Sequence, residues 1–233
     1  LRDSIQELPT IPETLNRILD LLEDPDSGAR DLAAVMRGDP PLAAKIPRLA
    51  NSPLYRKQRT LTTIQESVAV LGHRTVRQVA LCVSVISTLA SECAERGSPL
   101  DYRQLWRHGV TVGTVAGQLA RLRGGLDPET VFTAGLLHDL GKFVLVLEFP
   151  GTYGSLLAER RREGRRLAEV ERRELGFDHA RAGEELANAW NFPVELSEPI
   201  GAHHDLQPPS VPAAVVALAD DLGNRLDPPA CDL

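Results

Sequence analysis

The sequence has few aromatic residues and no excess of basic residues. Phe, Trp and Tyr make up 4% of its 233 residues, and the formal net charge is −6 at pH 7. With a pI near 5.6, the chain lacks the basic footprint that proteins use to bind nucleic acid broadly. We therefore expect no nucleic-acid partner, although a local basic patch is compatible with this composition.

Cysteine is also scarce. The chain contains only Cys82, Cys93 and Cys231, an odd number without a CxxC pair. Such cysteines are typical of reduced thiols in a cytoplasmic protein, and they argue against a disulfide framework or a zinc knuckle. We therefore expect a cytoplasmic protein whose fold depends on packing rather than on cross-links.

Long apolar runs and a secretion signal are missing as well. No apolar run approaches the roughly 18 residues that a membrane-spanning helix needs, and no signal-peptide pattern is present. We therefore expect no membrane association. The first residue is Leu1 rather than Met, so a longer protein with a targeting segment or a partner domain stays open as an alternative.

The helical pattern of the chain is strong, whereas strand-like alternation is hard to find. Leu, Ala, Arg and Glu favour helices, and the sequence predicts an all-α fold. A long apolar helix is predicted from about Val76 to Leu89. Gly97-Ser98-Pro99 is the best internal boundary, which gives an N-terminal helical subdomain at residues 1–97 and a second subdomain at residues 98–233. Because this turn is short, we expect the two halves to pack together.

One short stretch, Leu136–Lys142, carries the strongest chemical signal. Its apolar setting predicts burial, and a buried Asp is rare unless it is paired or bound to a cation. His138 and Asp139 are adjacent, and Lys142 follows Asp139 by three residues, so all three can share one helix face. An imidazole, a carboxylate and an ammonium predict a metal site beside a phosphate-holding cation. The alternative is a buried histidine next to an Asp that caps a helix.

Further candidate ligands are dispersed through the second half of the chain. Taken singly, a helical histidine is more often a core or surface residue, but an ordered series favours a shared site. We expect one ion to bind His138, Asp139, His108 and Asp220, and a second to bind His179, His203 and His204. Nitrogen and carboxylate ligands without thiolate suit iron, manganese, zinc or magnesium better than a structural zinc site.

An arginine-rich stretch from Glu159 to Glu174 has two interpretations. Glutamates alternate with its seven arginines, and Glu169 and Arg173 are spaced to pair along a helix. A solvated helix face is the favoured interpretation. Binding to an acidic partner or to nucleotide phosphates is the alternative.

These residues carry a resemblance to a known family. The Leu136–Lys142 stretch resembles the His-Asp signature of the HD superfamily of metal-dependent phosphohydrolases. The whole chain resembles the HDOD branch, a bacterial output module related to that superfamily. The supporting stretches are Leu8–Pro12, Asp39–Leu42, Leu49–Ser52, Ser67–Gly72, Ala134–Gly141, His179–Gly183, Trp190–Pro193 and His203-His204.

The resemblance implies an N-terminal helical bundle packed on an HD-like helical subdomain. It also implies a regulatory module attached to receiver or other signalling domains, often without catalytic ligands. This chain instead keeps an almost complete ligand set, in the order that two-metal HD phosphodiesterases such as the HD-GYP group use. It departs from that group in two ways: no Gly-Tyr-Pro follows His203-His204, and Gln104 stands four residues before His108, where a Glu would supply a further ligand.

Two functions follow for the chain. The first is a bacterial signal-transduction module with a metal site of one or two iron, manganese or zinc ions, which binds a nucleotide, a cyclic dinucleotide or a signalling protein without turnover. The second is an active phosphohydrolase that acts on a nucleotide or cyclic dinucleotide. In that case Asp139 and Lys142 are the catalytic residues: the ions lower the pKa of an attacking water, and Lys142 steadies the phosphate.

Overall fold

Every regular element that the computed structural model describes is an α-helix, so the all-α prediction is confirmed. The described residues are 11–24, 27–37, 47, 51 and 60–226. Most of the quoted stretches at 8–12, 39–42 and 49–52, together with Cys231, lie outside the described residues.

The described residues form two compact units, and the point of division between the units falls within one long helix. Residues up to Thr88 belong to the first unit, and those from Leu89 onward belong to the second. The predicted boundary at Gly97–Pro99 lies a few residues after this division. The subdomain limits of 1–97 and 98–233 stay predictions.

The first unit consists of short amphipathic helices and most of one long helix. Its helices are α1 (Glu13–Glu23), α2 (Ala29–Arg37), α3 (Ile64–Leu71) and α4 (His73–Glu95), of which α4 continues into the second unit. At the start of α3, Thr63 accepts a hydrogen bond from the Glu66 backbone N–H, and the Glu66 side chain accepts one from the Thr63 N–H. This capping box explains why the helix begins there.

The second unit holds every predicted site residue. Its further helices are α5 (Tyr102–Arg123), α6 (Pro128–Leu137), α7 (Gly141–Glu148), α8 (Pro150–Glu163), α9 (Leu167–Leu175), α10 (His179–Ala189), α11 (Val194–Ala202) and α12 (Val211–Leu226). Helix α5 packs against α6 and α12, and α10 packs against α7 and α11. Asp127 begins α6 by accepting a hydrogen bond from the Thr130 N–H, which is the usual role of an N-cap carboxylate.

Two helical stretches are longer and more apolar than expected from the sequence. Thr75–Glu95 and Pro128–Glu148 each span 21 residues and are apolar enough, by length and composition, to cross a membrane. The expectation that no apolar run approaches this length is therefore wrong. The most apolar window of the first stretch is 61% buried and that of the second is 89% buried, so contact with the protein core accounts for most of their apolar character.

Close backbone contact holds α7 against α10. A Cβ atom added to Gly141 would lie 1.8 Å from the carbonyl oxygen of His179 and 2.5 Å from the backbone nitrogen of Gly183. No side chain fits in this space, and the contacting atoms are main chain, which cannot rotate away. Glycine is therefore required at the first residue of α7, one position before Lys142.

We expect Gly141→Ala to lower the free energy of unfolding by about 3 kcal/mol, the upper end of the usual cost of overpacking. The control is Gly151→Ala in α8, where an added Cβ would meet nothing within 4 Å and helix propensity favours Ala by about 0.5 kcal/mol. Urea unfolding followed by circular dichroism measures both. Equal stability of the two variants would contradict the close contact.

Candidate metal centre

The fold brings together all seven predicted ligand side chains. Helix α5 supplies His108, and the turn between α6 and α7 supplies His138 and Asp139. His179 is the first residue of α10, and Asp220 lies on α12. His203 and His204 come directly after α11. Six of these residues are buried, and His204 is partly exposed. Their donor atoms form three sets compact enough to hold an ion: His108 with His138 and Asp220, His138 with Asp139 and His203, and His179 with His203 and His204.

One part of the cluster surrounds Asp220. Its Oδ1 atom lies 3.1 Å from Nε2 of His108 and 3.5 Å from Nε2 of His138. The Asn224 side chain, one turn further along α12, donates a hydrogen bond of 3.0 Å to the same oxygen. Two imidazole nitrogens and a carboxylate oxygen thus converge, with an amide that fixes the carboxylate.

Asp139 connects this part of the cluster to the rest. Its Oδ1 atom lies 3.2 Å from Nε2 of His179, and its Oδ2 atom lies 3.3 Å from Nε2 of His138. The Lys142 ammonium donates to Oδ2 at 2.7 Å, as their spacing of three residues predicts. On the His179 side, Nε2 of His204 is 2.9 Å from Nε2 of His179.

The backbone fixes which nitrogen of two histidines faces the cluster. Nδ1 of His138 lies 2.7 Å from the carbonyl oxygen of Gly135, and Nδ1 of His203 lies 2.7 Å from that of Ile200. Because a carbonyl oxygen can only accept, each Nδ1 carries the proton and donates it. In the neutral form of each ring, Nε2 therefore presents its lone pair to the cluster.

One of these lone pairs accepts no hydrogen bond from any described residue. His203 is only 3% exposed, and its Nε2 has no hydrogen-bond partner among the described residues. A buried polar atom of this kind costs on the order of 1 to 3 kcal/mol unless something satisfies it. A cation would satisfy it, since imidazole nitrogen is a common metal ligand. The residues present therefore fit a metal ion.

A residue that the sequence analysis missed, Glu171, orients His179. This fully buried carboxylate accepts hydrogen bonds from Nδ1 of His179 at 2.5 Å, from the His179 backbone N–H at 2.9 Å and from the Tyr153 hydroxyl at 2.7 Å. The contact places the proton on Nδ1 and directs Nε2 toward Asp139 and His204. Metal-binding histidines commonly have such a carboxylate behind them.

The charges around the cluster suit a cation. Burial opposes ionisation of Asp139, but His138 and Lys142 outweigh it and hold the pKa of Asp139 well below its usual range. Burial, followed by repulsion from His138 and His179, lowers the pKa of His203 to about 3. Near neutral pH the cluster thus contains an ionised carboxylate and a neutral imidazole, as cation binding requires.

The pKa values of two other histidines are raised rather than lowered. Burial opposes protonation of His179, but Glu171 outweighs it and raises its pKa to about 10. The carboxylates of Asp139 and Asp220 likewise outweigh burial and raise the pKa of His138. A cation that binds these nitrogens must therefore displace protons from them.

A cavity of about 410 Å³ opens onto the cluster. Lys142 and six of the seven predicted histidine and aspartate ligands line it, and so does a group of three arginines. We call this group, Arg160, Arg165 and Arg166, the arginine edge. Arg160 is 4% exposed, so the interpretation of this stretch as a solvated helix face is wrong for Arg160. The interpretation as a solvated face does fit Arg162, whose side chain is 75% exposed.

Comparison with known proteins identifies both sequence and structural relatives. A family model described as the HDOD domain matches residues 8–206. The chain spans 39% of the length of the curated relative that it matches in Treponema pallidum (strain Nichols), an uncharacterized protein to which it is 28% identical over 211 residues.

Three solved structures share the fold. An HDOD domain protein of unknown function from Geobacter sulfurreducens has a TM-score of 0.79 and 31% identity, over 96% of this chain and 74% of its own. A protein from Shewanella amazonensis SB2B, provisionally named a phosphohydrolase, has a TM-score of 0.81 and 27% identity over 97% and 80%. A protein from Marinobacter aquaeolei VT8, provisionally named a signal transduction protein, has values of 0.75 and 26% over 97% and 50%.

We expect Glu171→Gln to weaken metal binding about 10- to 100-fold, because loss of such a carboxylate usually has an effect of this size. Tyr153→Phe removes only one of the hydrogen bonds to Glu171 and should weaken binding less. Competition with a chromophoric chelator for zinc measures the affinity. Glu169→Gln, an exposed position on the same helix, is the control, and equal affinity of Glu171→Gln and the control would contradict the role of Glu171.

Proposed function

We propose that this chain, which belongs to the HDOD domain family, is a metal-binding regulatory module of a signal-transduction protein. It binds a ligand or a protein partner at the cavity and does not turn the ligand over. The observation that carries this proposal is the convergence of histidine and aspartate donors on His203, whose buried Nε2 finds no hydrogen-bond partner in the part of the chain that the structure describes.

The donor sets support two adjacent ion positions. His108, His138 and Asp220 would hold the first ion, and His179, His203 and His204 would hold the second. Asp139 has one oxygen facing each group and can serve both ions. Imidazole and carboxylate donors without thiolate favour iron, manganese or zinc.

Three observations favour binding over turnover. Gln104, one turn before His108 on α5, supplies a neutral amide where the resemblance to two-metal HD phosphodiesterases implies a Glu ligand. Lys142 already donates to Asp139, so one of the three N–H donors of its ammonium is not available to a phosphate. The chain spans only part of two longer relatives, one of which is provisionally named a signal transduction protein, as expected for a module that acts on other domains.

Phosphohydrolysis is the second candidate function. It is favoured by two ion positions that share one open cavity with Lys142, and by the structural neighbour that is provisionally named a phosphohydrolase. In such an enzyme, bound ions supply Lewis acidity and lower the pKa of a water. The Lys142 ammonium would neutralise an oxygen of the phosphate, while Asp139 would fix the spacing of the donor groups.

We expect Asp139→Ala to lose most of its bound metal, because Asp139 is the carboxylate that contacts donors of both groups. The measurement is metal analysis by mass spectrometry after reconstitution with iron, manganese and zinc. Asp205→Ala is the control, since Asp205 lines the same cavity but lies outside the donor sets. A wild-type protein that emerges without metal from all three reconstitutions would refute the metal site.

The wild-type protein loaded with metal should show no turnover of cyclic dinucleotides, nucleoside phosphates or generic phosphodiesters. Product release followed by chromatography measures this, and Lys142→Ala should keep its metal because an ammonium is not a ligand. Turnover in the wild type that is lost in both Asp139→Ala and Lys142→Ala would establish the enzyme instead. In that case Lys142→Ala should reduce the rate on the order of 100-fold, as loss of one preorganised donor does.

A further inference from the structure

The cavity has a basic wall that the metal centre does not use. The connection between α8 and α9 forms it: Gly164 ends α8 in the left-handed conformation with φ of 64°, and Arg165 and Arg166 follow. Both side chains are exposed, with 55% and 76% of their surface accessible. They can therefore reorient toward a bound group, whereas Arg160 is buried in the same wall.

Helix α9 starts at this wall. Its N-cap position is Arg166, which makes no side-chain capping hydrogen bond, and the first-turn residues Leu167 and Ala168 line the cavity. The positive end of a helix and its first backbone N–H groups attract anions. The dipole of α9 thus acts in the same direction as the charges of the arginine edge.

The balance of charge in the cavity also favours an anionic ligand. Four carboxylates line it, but two of these, Asp139 and Asp220, belong to the metal centre. The other two, Asp205 and Asp221, are outnumbered by four basic side chains, namely Lys142 and the three arginines of the edge. Once cations occupy the donor cluster, positive charge prevails throughout the cavity.

Two ion pairs restrain the arginine edge: Nε of Arg165 lies 3.3 Å from Oε2 of Glu163, and Arg166 pairs with Asp221. Arg166 lies 3.6 Å from Oδ1 of Asp221, which also pairs with Arg225 at 2.8 Å. Both the Arg166 and the Asp221 side chains are substantially exposed, so the pair is weak and a phosphate group can displace it. Arg225 would then remain to neutralise Asp221.

We propose that the arginine edge binds a phosphate group of the cavity's ligand, and that this ligand carries two linked phosphates. One phosphate would face Lys142 and the metal centre, and the other would take Arg165 and Arg166 as partners, with the start of α9 behind them. The two-phosphate ligand rests on the proposed function, whereas the arginine edge itself does not require the metal.

The test is calorimetric titration of the full chain with inorganic pyrophosphate and with orthophosphate at low salt. In protein loaded with metal, Arg165→Gln/Arg166→Gln should bind pyrophosphate about 10-fold more weakly, because charge-assisted hydrogen bonds to phosphate are lost. The affinity of this double variant for orthophosphate should not change, because we expect a single phosphate to bind at the metal centre. Metal analysis before and after titration detects any loss of ions to the probe.

Two single variants sharpen the test: one should strengthen pyrophosphate binding, and the other should leave it unchanged. Asp221→Asn removes the competing carboxylate and should strengthen pyrophosphate binding about threefold, which is the strength of an exposed ion pair. Arg162→Gln, an exposed arginine on α8 that does not line the cavity, should bind as the wild type does. Circular dichroism verifies that each variant is folded.

The same titrations are repeated with chelator-treated protein, so that failure of the arginine edge can be distinguished from failure of the metal site. Pyrophosphate binding that still depends on Arg165 and Arg166 after chelation supports the anion site, even if the wild type takes up no metal. Metal uptake together with pyrophosphate affinity that is the same in wild type and the double variant would overturn the arginine edge and leave the metal-binding module intact.

Discussion

The buried carboxylate of Asp139 is the contact on which the rest of the centre depends. One of its oxygens faces His179 on α10, and the other faces His138 in its own turn and Lys142 on α7. An ionised carboxylate in the protein interior is costly unless opposite charge and hydrogen bonds surround it. The helices must therefore converge here, and the same convergence produces the donor cluster.

Close contact between main chains makes this convergence sterically possible. Gly141 brings the start of α7 against His179, while Gly109 and Gly113 bring α5 against α6, where an added Cβ would lie 2.7 Å and 2.8 Å from carbonyl oxygens. A larger residue at any of these positions would separate the helices that supply the ligands. The spacing of the donor atoms is thus determined by backbone packing.

The sequence predicted the helical fold and the side chains that meet in the cluster, because both depend on local patterns; their role as ligands stays a prediction. Helical periodicity indicates the elements, and the isolated polar residues of apolar stretches, such as His138, Asp139 and Asp220, stand out against their surroundings. The residues that surround these ligands in the folded protein were harder to predict. Glu171 and Arg160 lie in a stretch rich in Glu and Arg, which resembles a solvated face.

A signal for these two residues does exist in the spacing. Glu171 follows Leu167 by four residues and is buried with it, and Arg160 follows Leu156 by four residues and Leu157 by three on the buried side of α8. Both charged residues thus continue an apolar stripe. Composition alone obscured this, because it averages the inner and the outer faces of a helix.

The main-chain contacts of the histidines have a consequence for how such a centre can change over evolution. His138 and His203 each donate to the carbonyl three residues earlier, so their tautomers depend on main-chain atoms rather than on a neighbouring side chain. His179 instead depends on the replaceable side chain of Glu171. Descendants of this chain could therefore adjust the strength of one ion position through a single residue outside the ligand set, while the other position keeps its geometry.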